Sequence, residues 1–174
     1  MKYKIYIDFD GVILDTWEYI FSQYKKKYNT DIIYEKSIKE LMIEVGWNTI
    51  INKSNIINNS IDEIITLSKK YDVCILTKVN SKEEKKCKIE YLNKYGIKNI
   101  ICVPYEERKS DYVIPNNSYL IDDDIKNLLD WEEKRGIPIY FNKNLDNKDS
   151  YGEKNIKYKT IDNINKIYDI INSN

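Results

Sequence analysis

Short apolar runs alternate with amphipathic stretches along most of this 174-residue chain. The runs are YKIYI at 3–7, DVCILT at 72–77, NIICV at 99–103, SYLID at 118–122 and IPIYF at 137–141. Continuous apolar runs of this length predict strands buried on both faces, as in a parallel sheet. Between them, SKEEKKCKIEYLNKYG (81–96) and DDIKNLLDWEEKRG (123–136) carry helical spacing, for example at Ile125, Leu128 and Leu129. Each closes on a basic turn followed by Gly96 or Gly136, which predicts a helix stop. Ser81 with Glu84 three residues on predicts a capping box, and Asp124 predicts a helix N-cap. Strand–helix alternation of this kind predicts an α/β, doubly wound domain with a parallel sheet.

Residues 15–60 break the alternation. They hold no strand-like run, but Trp17, Ile20, Phe21, Tyr24 and Tyr28 follow helical spacing, and Ile38, Leu41, Met42 and Val45 repeat it. The pattern predicts a small helical cap inserted after the first strand, with 1–14 and 61–174 forming the core domain. The aromatic stripe is expected to be core, with Trp47 in the connecting VGWNT the least core-like. The tail from 160 to 174 predicts a closing helix with Ile161, Ile164, Ile167, Tyr168 and Ile171 inward. The segment 142–155 reads as a polar loop.

Composition narrows the chemistry. There are 28 basic and 28 acidic residues, so nothing points to a polyanion-binding surface and no nucleic-acid partner is expected. The chain has no histidine, which removes histidine bases, Ser-His-Asp and Cys-His catalysis, and histidine metal sites. Three cysteines, Cys74, Cys87 and Cys102, form no C-x-x-C and are expected to be reduced, which fits a cytoplasmic setting. No signal peptide or membrane span is expected.

Ligands of an open parallel sheet gather at the carboxyl ends of its strands. The first strand runs into Asp8 and Asp10, with Gly11 behind them. Positions i and i+2 of an extended chain point to one side, so these two acids are expected to converge and to repel unless a cation lies between them. Thr77 follows the strand at 72–77, with Lys78 after it. Lys109 precedes the fourth strand, with Arg108 and Lys98 as rival cations, and that strand ends in Asp122, Asp123 and Asp124. This set meets the needs of phosphoryl transfer: a nucleophile, charge compensation and a proton donor. Asp8 is the expected nucleophile and Asp10 the expected acid and base. Asp123, with Asp122 as the alternative or companion, is the expected holder of Mg²⁺. Thr77 and Lys109 are expected to bind phosphoryl oxygens or offset their charge, with Gly11 and Lys78 beside the substrate.

The ordered motifs YIDFDGVI, CILT, Lys109 and YLIDDD resemble the haloacid dehalogenase (HAD) superfamily of aspartate-nucleophile phosphatases. The resemblance implies a HAD-like, Rossmannoid fold, an aspartyl-phosphate intermediate on Asp8, and metal binding by Asp8, the Asp10 main-chain oxygen and an aspartate of YLIDDD. The segment 118–142 is further similar to the 5′(3′)-deoxyribonucleotidase-like group, which also has a short helical cap. That similarity implies a nucleoside monophosphate substrate, with Phe21, Tyr24 or Trp47 as base contacts and no choice among them. Lys78 departs from the small residue common after the second motif.

The same residues leave other functions open. One is a sugar-phosphate or other small-metabolite phosphatase, and another is a non-catalytic phosphate-binding protein. A receiver-type signalling module also uses acids, a threonine and a lysine, but there threonine and lysine follow the acids, whereas here they precede the second acidic group. Either a monomer or a homodimer fits the chain.

Overall fold

The computed structural model describes residues 3–145 and 157–173. Six strands, β1 (Lys4–Ile7), β2 (Asp72–Val79), β3 (Ile100–Pro104), β4 (Tyr119–Asp122), β5 (Ile137–Phe141) and β6 (Lys159–Ile161), form one sheet. Their order is β3-β2-β1-β4-β5-β6, and every neighbouring pair is parallel. The connections β1–β2–β3 run outward one way and β4–β5–β6 the other, so the topological switch point lies between β1 and β4.

The alternating side chains explain why these runs are strands. Ile5, Ile7, Ile75, Tyr119 and Ile121 enter the core on one face of the sheet, together with Ile61 and Ile64 of α4 (Ser60–Ser68) and Ile167 of a C-terminal helix (Ile167–Asn172). Tyr6, Cys74, Leu76 and Leu120 point to the other face and meet Leu128 and Trp131 of the helix Ile125–Glu133. With both faces covered, an α/β parallel sheet is the result.

Three helices, α1 (Thr16–Tyr28), α2 (Glu35–Val45) and α3 (Trp47–Lys53), lie between β1 and α4. They have their own apolar cluster of Ile20, Tyr24, Ile38, Leu41 and Ile50. The chain enters and leaves this insert through paired backbone: Leu14 bridges Ile56 antiparallel, Asp15 N donates to Asn55 O (2.9 Å) and Ile57 N to Ile13 O (3.0 Å).

Several sequence expectations are corrected here. Within the stripe of α1 only Ile20 and Tyr24 are buried, whereas Trp17, Phe21 and Tyr28 are exposed. A narrow three-helix insert covers one stripe per helix, and its aromatic flank is left facing cavities and solvent. Leu129 is likewise exposed, because the sheet covers only the Leu128–Trp131 side of its helix. Ile161, expected in a closing helix, ends β6, and the helix itself starts at Ile167. Residues 146–155 of the expected polar loop lie outside the described residues.

The helix ends also resolve. Ser81 caps α5 (Lys82–Lys94) by accepting from Glu84 N at 3.0 Å, and Asp124 accepts from Lys126 N at 2.9 Å. Gly96 takes φ +77° after α5. At the other stop the left-handed residue is Arg135 (φ 61°), and Gly136 serves a different purpose. A Cβ there would sit 2.2 Å from Trp131 Cδ1 and Nε1, while the indole donates to Ser118 O at 3.1 Å. Gly136→Ala must therefore displace the largest buried side chain. It is expected to lower stability by about 1–3 kcal/mol, read as a fall of several degrees in the thermal midpoint. An unchanged midpoint would show that this close approach is not needed.

Candidate active site

Asp8 stands one residue beyond β1, and its N–H still bonds to Ile121 O of β4 at 2.9 Å. Asp122 ends β4 and Asp123 follows it. The two strands flank the switch point, so their carboxylates are brought to one place by the sheet itself. One oxygen from each of Asp8, Asp122 and Asp123 falls within 4.8 Å of the others. Lys109, on the 3-10 turn Lys109–Asp111, reaches into this group. Its ammonium lies 2.6 Å from Asp8 Oδ1 and 2.7 Å from Asp122 Oδ2. Its rivals stay outside: Arg108 pairs with Asp130 (2.8 Å) and Glu133, and Lys98 is exposed.

The three acids are not equivalent. Asp122 is fully buried and supplied with donors: Lys109 Nζ, Asp124 N (2.9 Å) and Asn127 Nδ2 (3.1 and 3.2 Å). Asp8 Oδ1 has its ion pair with Lys109 but no directed hydrogen bond. Burial pushes the Asp8 carboxyl up to about 7, against the opposing pull of Lys109 and with further upward pushes from Asp122 and Asp10. Asp123 is raised well above the usual carboxylate range, first by burial and then by Asp122 and Asp8. Lys109 is held above the usual lysine range because Asp122 and Asp8 outweigh its own burial. Two buried acids raised by burial and by their neighbours, with carboxylate oxygens converging within 4.8 Å, form a donor set that suits a hard divalent cation.

Gly11 makes that crowding possible. It adopts φ +74°, and a Cβ on it would lie 1.9 Å from Asp123 Oδ2. Only the absence of a side chain lets the β1 loop and the Asp123 carboxylate share this space.

Asp10 is part of a second group. Its Oδ1 accepts from Thr16 Oγ1 at 2.8 Å and its Oδ2 meets Lys88 Nζ at 2.5 Å. Thr77 is fully buried, and its hydroxyl oxygen also accepts from Lys88, at 3.1 Å. Lys88 further pairs with Glu84 Oε1 at 2.8 Å and donates to Lys78 O at 2.8 Å. Glu84 accepts from Asn80 N at 2.7 Å. Lys88 is fully buried, yet its pKa is raised, since Asp10 and Glu84 more than offset the desolvation that pulls it down. Asp8 and Asp10 thus open onto one cavity, each paired with a different buried lysine, Lys109 and Lys88.

Lys88 and Glu84 are absent from the sequence-based set. In SKEEKKCK they read as members of a charged, solvated run. The available signal was the inward i, i+4, i+7, i+8 series Glu84, Lys88, Tyr91, Leu92, which is the buried face of α5.

Asp8, Asp10 and Asp123 open onto a cavity of about 370 Å³ walled also by Lys78, Trp17 and Trp47. Lys78 lies over the Tyr105 ring at 5.8 Å. A neighbouring cavity of about 570 Å³ shares Trp17 and Asp123 and adds Gly11, Phe21, Tyr24 and Lys143. Of the three expected base contacts, Trp47 therefore faces the cavity of the acids, whereas Phe21 and Tyr24 face the neighbouring one. Trp17, stacked on Phe21 at 5.7 Å, stands between them. No helix among the described residues is long and apolar enough to cross a membrane, and Cys74, Cys87 and Cys102 are unbridged.

No family model and no curated protein matches the sequence. Solved structures do resemble the fold at low identity. A haloacid dehalogenase-like hydrolase from Streptococcus pneumoniae superposes with a TM-score of 0.65 at 14% identity, covering 98% of each chain. A HAD-superfamily hydrolase of subfamily IA from Geobacter sulfurreducens gives 0.65 at 9% identity, over 98% of this chain and 100% of its own. The HAD-hydrolase structure of YfnB from Bacillus subtilis, bound to magnesium, gives 0.67 at 12%, over 99% and 100%. With six parallel strands flanked by helices and this likeness over nearly its whole length, the chain has the HAD-like Rossmannoid α/β fold.

Proposed function

We propose that this chain is a phosphoric monoester hydrolase that works through an aspartyl phosphate. The observation that carries the reading is the acidic cluster of Asp8, Asp122 and Asp123 around buried Lys109, at the switch point of the sheet. Asp8 and Asp123 have the oxygens left to hold Mg²⁺, together with the Asp10 main-chain oxygen that the motif resemblance implies, while Asp122 orients Lys109. A bound Mg²⁺ supplies charge compensation, so that an anionic nucleophile can approach an anionic ester. An Asp8 oxygen attacks phosphorus as the ester P–O bond breaks, and Asp10 gives its proton to the departing alkoxide. Asp10 then takes a proton from water, whose oxygen attacks the phosphoryl group and releases phosphate from Asp8. Lys109 stays beside Asp8 throughout, offsetting its charge.

We further assign the substrate to the nucleoside monophosphates. The cavity of about 370 Å³ has a size suited to a small phosphorylated metabolite, and Trp17 and Trp47 on its walls offer flat apolar faces to a base. A sugar-phosphate phosphatase is the second reading, favoured by the polar side of the same cavity, where Lys78 and Asn80 stand. Three unbridged cysteines agree with a cytoplasmic site of action.

A panel of nucleoside monophosphates and sugar phosphates with added Mg²⁺ tests the assignment. Preference for nucleotides is expected, and equal turnover of both classes removes the nucleotidase reading. Asp8→Asn is expected to abolish turnover in a folded protein, and chelation by EDTA to silence the wild type until Mg²⁺ is restored. Residual activity of Asp8→Asn above about one thousandth of wild type contradicts the covalent step. Gly11→Ala must displace Asp123 and is expected to weaken Mg²⁺ binding at least about tenfold by titration calorimetry, with the circular dichroism of the fold retained. Unchanged Mg²⁺ affinity would remove Asp123 from the metal site.

A further inference from the structure

Lys88 is fully buried and touches none of the three clustered acids, yet it is the most heavily engaged side chain beside Asp10. Its ammonium meets Asp10 Oδ2 (2.5 Å), Glu84 Oε1 (2.8 Å), Lys78 O (2.8 Å) and Thr77 Oγ1 (3.1 Å). The rings of Phe9 and Trp47 lie 5.3 and 5.7 Å from it. Stability alone does not account for such a group, because well-packed apolar side chains often replace buried ion pairs without loss. What an apolar residue cannot do is set the direction of its neighbours.

Two directions are set here. Asp10 is gripped on both oxygens, by Lys88 from the core helix α5 and by Thr16 from α1 of the insert. Thr77 accepts the Lys88 proton, so its own hydroxyl proton must point elsewhere. Glu84 braces the lysine from one helical turn earlier, and is itself fixed by the N–H of Asn80, the first residue after β2. Trp47 carries the contact on to α3.

We propose that Lys88, braced by Glu84, is a positioning residue that holds the Asp10 carboxylate and the Thr77 hydroxyl in one fixed relation, so that Asp10 meets the leaving-group oxygen. The inference rests on the phosphomonoesterase reading and deepens it. Lys88 touches no reacting atom. It acts through Asp10, and its removal affects proton delivery rather than phosphoryl binding.

The dependence on leaving group separates this role from a structural one. An aryl phosphate with a weakly basic leaving group, p-nitrophenyl phosphate, needs little protonation as its P–O bond breaks, whereas phenyl phosphate, of nearly the same shape, needs more. The kcat/KM for both esters is measured with Mg²⁺ for wild type, Lys88→Met, Lys88→Met/Glu84→Gln and Glu84→Gln. The double variant removes the carboxylate charge that Lys88→Met leaves buried without its partner. Glu84→Gln keeps the acceptor for Asn80 and reports on the brace alone, whether or not the lysine variants fold.

Lys88→Met and Lys88→Met/Glu84→Gln are each expected to lose about tenfold or more on phenyl phosphate beyond their loss on p-nitrophenyl phosphate, with inhibition by inorganic phosphate unchanged. For Glu84→Gln the differential is expected to be smaller and of the same sign. Equal losses on the two esters, or none, in folded variants of an active wild type overturn the positioning role and leave the phosphatase reading standing. A wild type that cleaves neither ester overturns that reading and this inference with it.

Discussion

Like charge held together in a dry place governs this structure. Asp8, Asp122 and Asp123 bring three carboxylates to the ends of two adjacent parallel strands, and among the described residues Lys109 is the one ammonium inside that cluster. In a medium less polar than water such acids repel strongly, and a fold keeps them close only where something compensates. Burial first, and then the neighbouring Asp122 and Asp10, push the Asp8 carboxyl up to about 7 against the pull of Lys109. The sheet cannot relieve the crowding, because the register Ile7↔Ile121 fixes the last residues of β1 and β4 side by side. Gly11 makes it sharper still by letting Asp123 approach the β1 loop.

The second group, Asp10 with Glu84, Lys88, Thr16 and Thr77, answers the same problem differently. There a buried lysine meets two acids, and the polar atoms around its ammonium come from the β1 loop (Asp10), β2 (Thr77 and Lys78) and its own helix α5 (Glu84), while Thr16 of α1 joins through Asp10. The group therefore ties the helical insert to the sheet at one point. In the proposed mechanism Asp10 gives and takes a proton, and an acid held by donors from two separate elements has its orientation set before substrate arrives.

The insert itself shows how little a small helical layer can bury. Five residues form its own cluster, and the aromatic flank of α1 is left over. Trp17 and Phe21 stack on each other and wall the two cavities. Their exposure is what a surface built to receive an apolar ligand has in common with one that lacks a partner, and here the acids lie on the same cavity wall as Trp17.

Much of this was legible in the chain. Five of six strands follow from apolar runs, because a strand covered on both faces needs no polar positions. Asp8, Asp122 and Asp123 were readable because each stands at or next to a strand end, and topology alone carries strand ends together, whereas Lys109, on the 3-10 turn between β3 and β4, was readable from its place in the ordered motifs. The order of helix caps at Ser81 and Asp124 was equally local. What the chain could not reveal is which side of a helix finds a covering layer. Trp17, Phe21 and Leu129 have core-like spacing and lie exposed, while Glu84 and Lys88 look solvated and are buried. Periodicity records that a face exists, but burial depends on what packs against it, and charges meet partners supplied by distant segments. The pairing of Asp10 with Lys88 was decided in that way, by side chains 78 positions apart in sequence that only the folded chain makes neighbours.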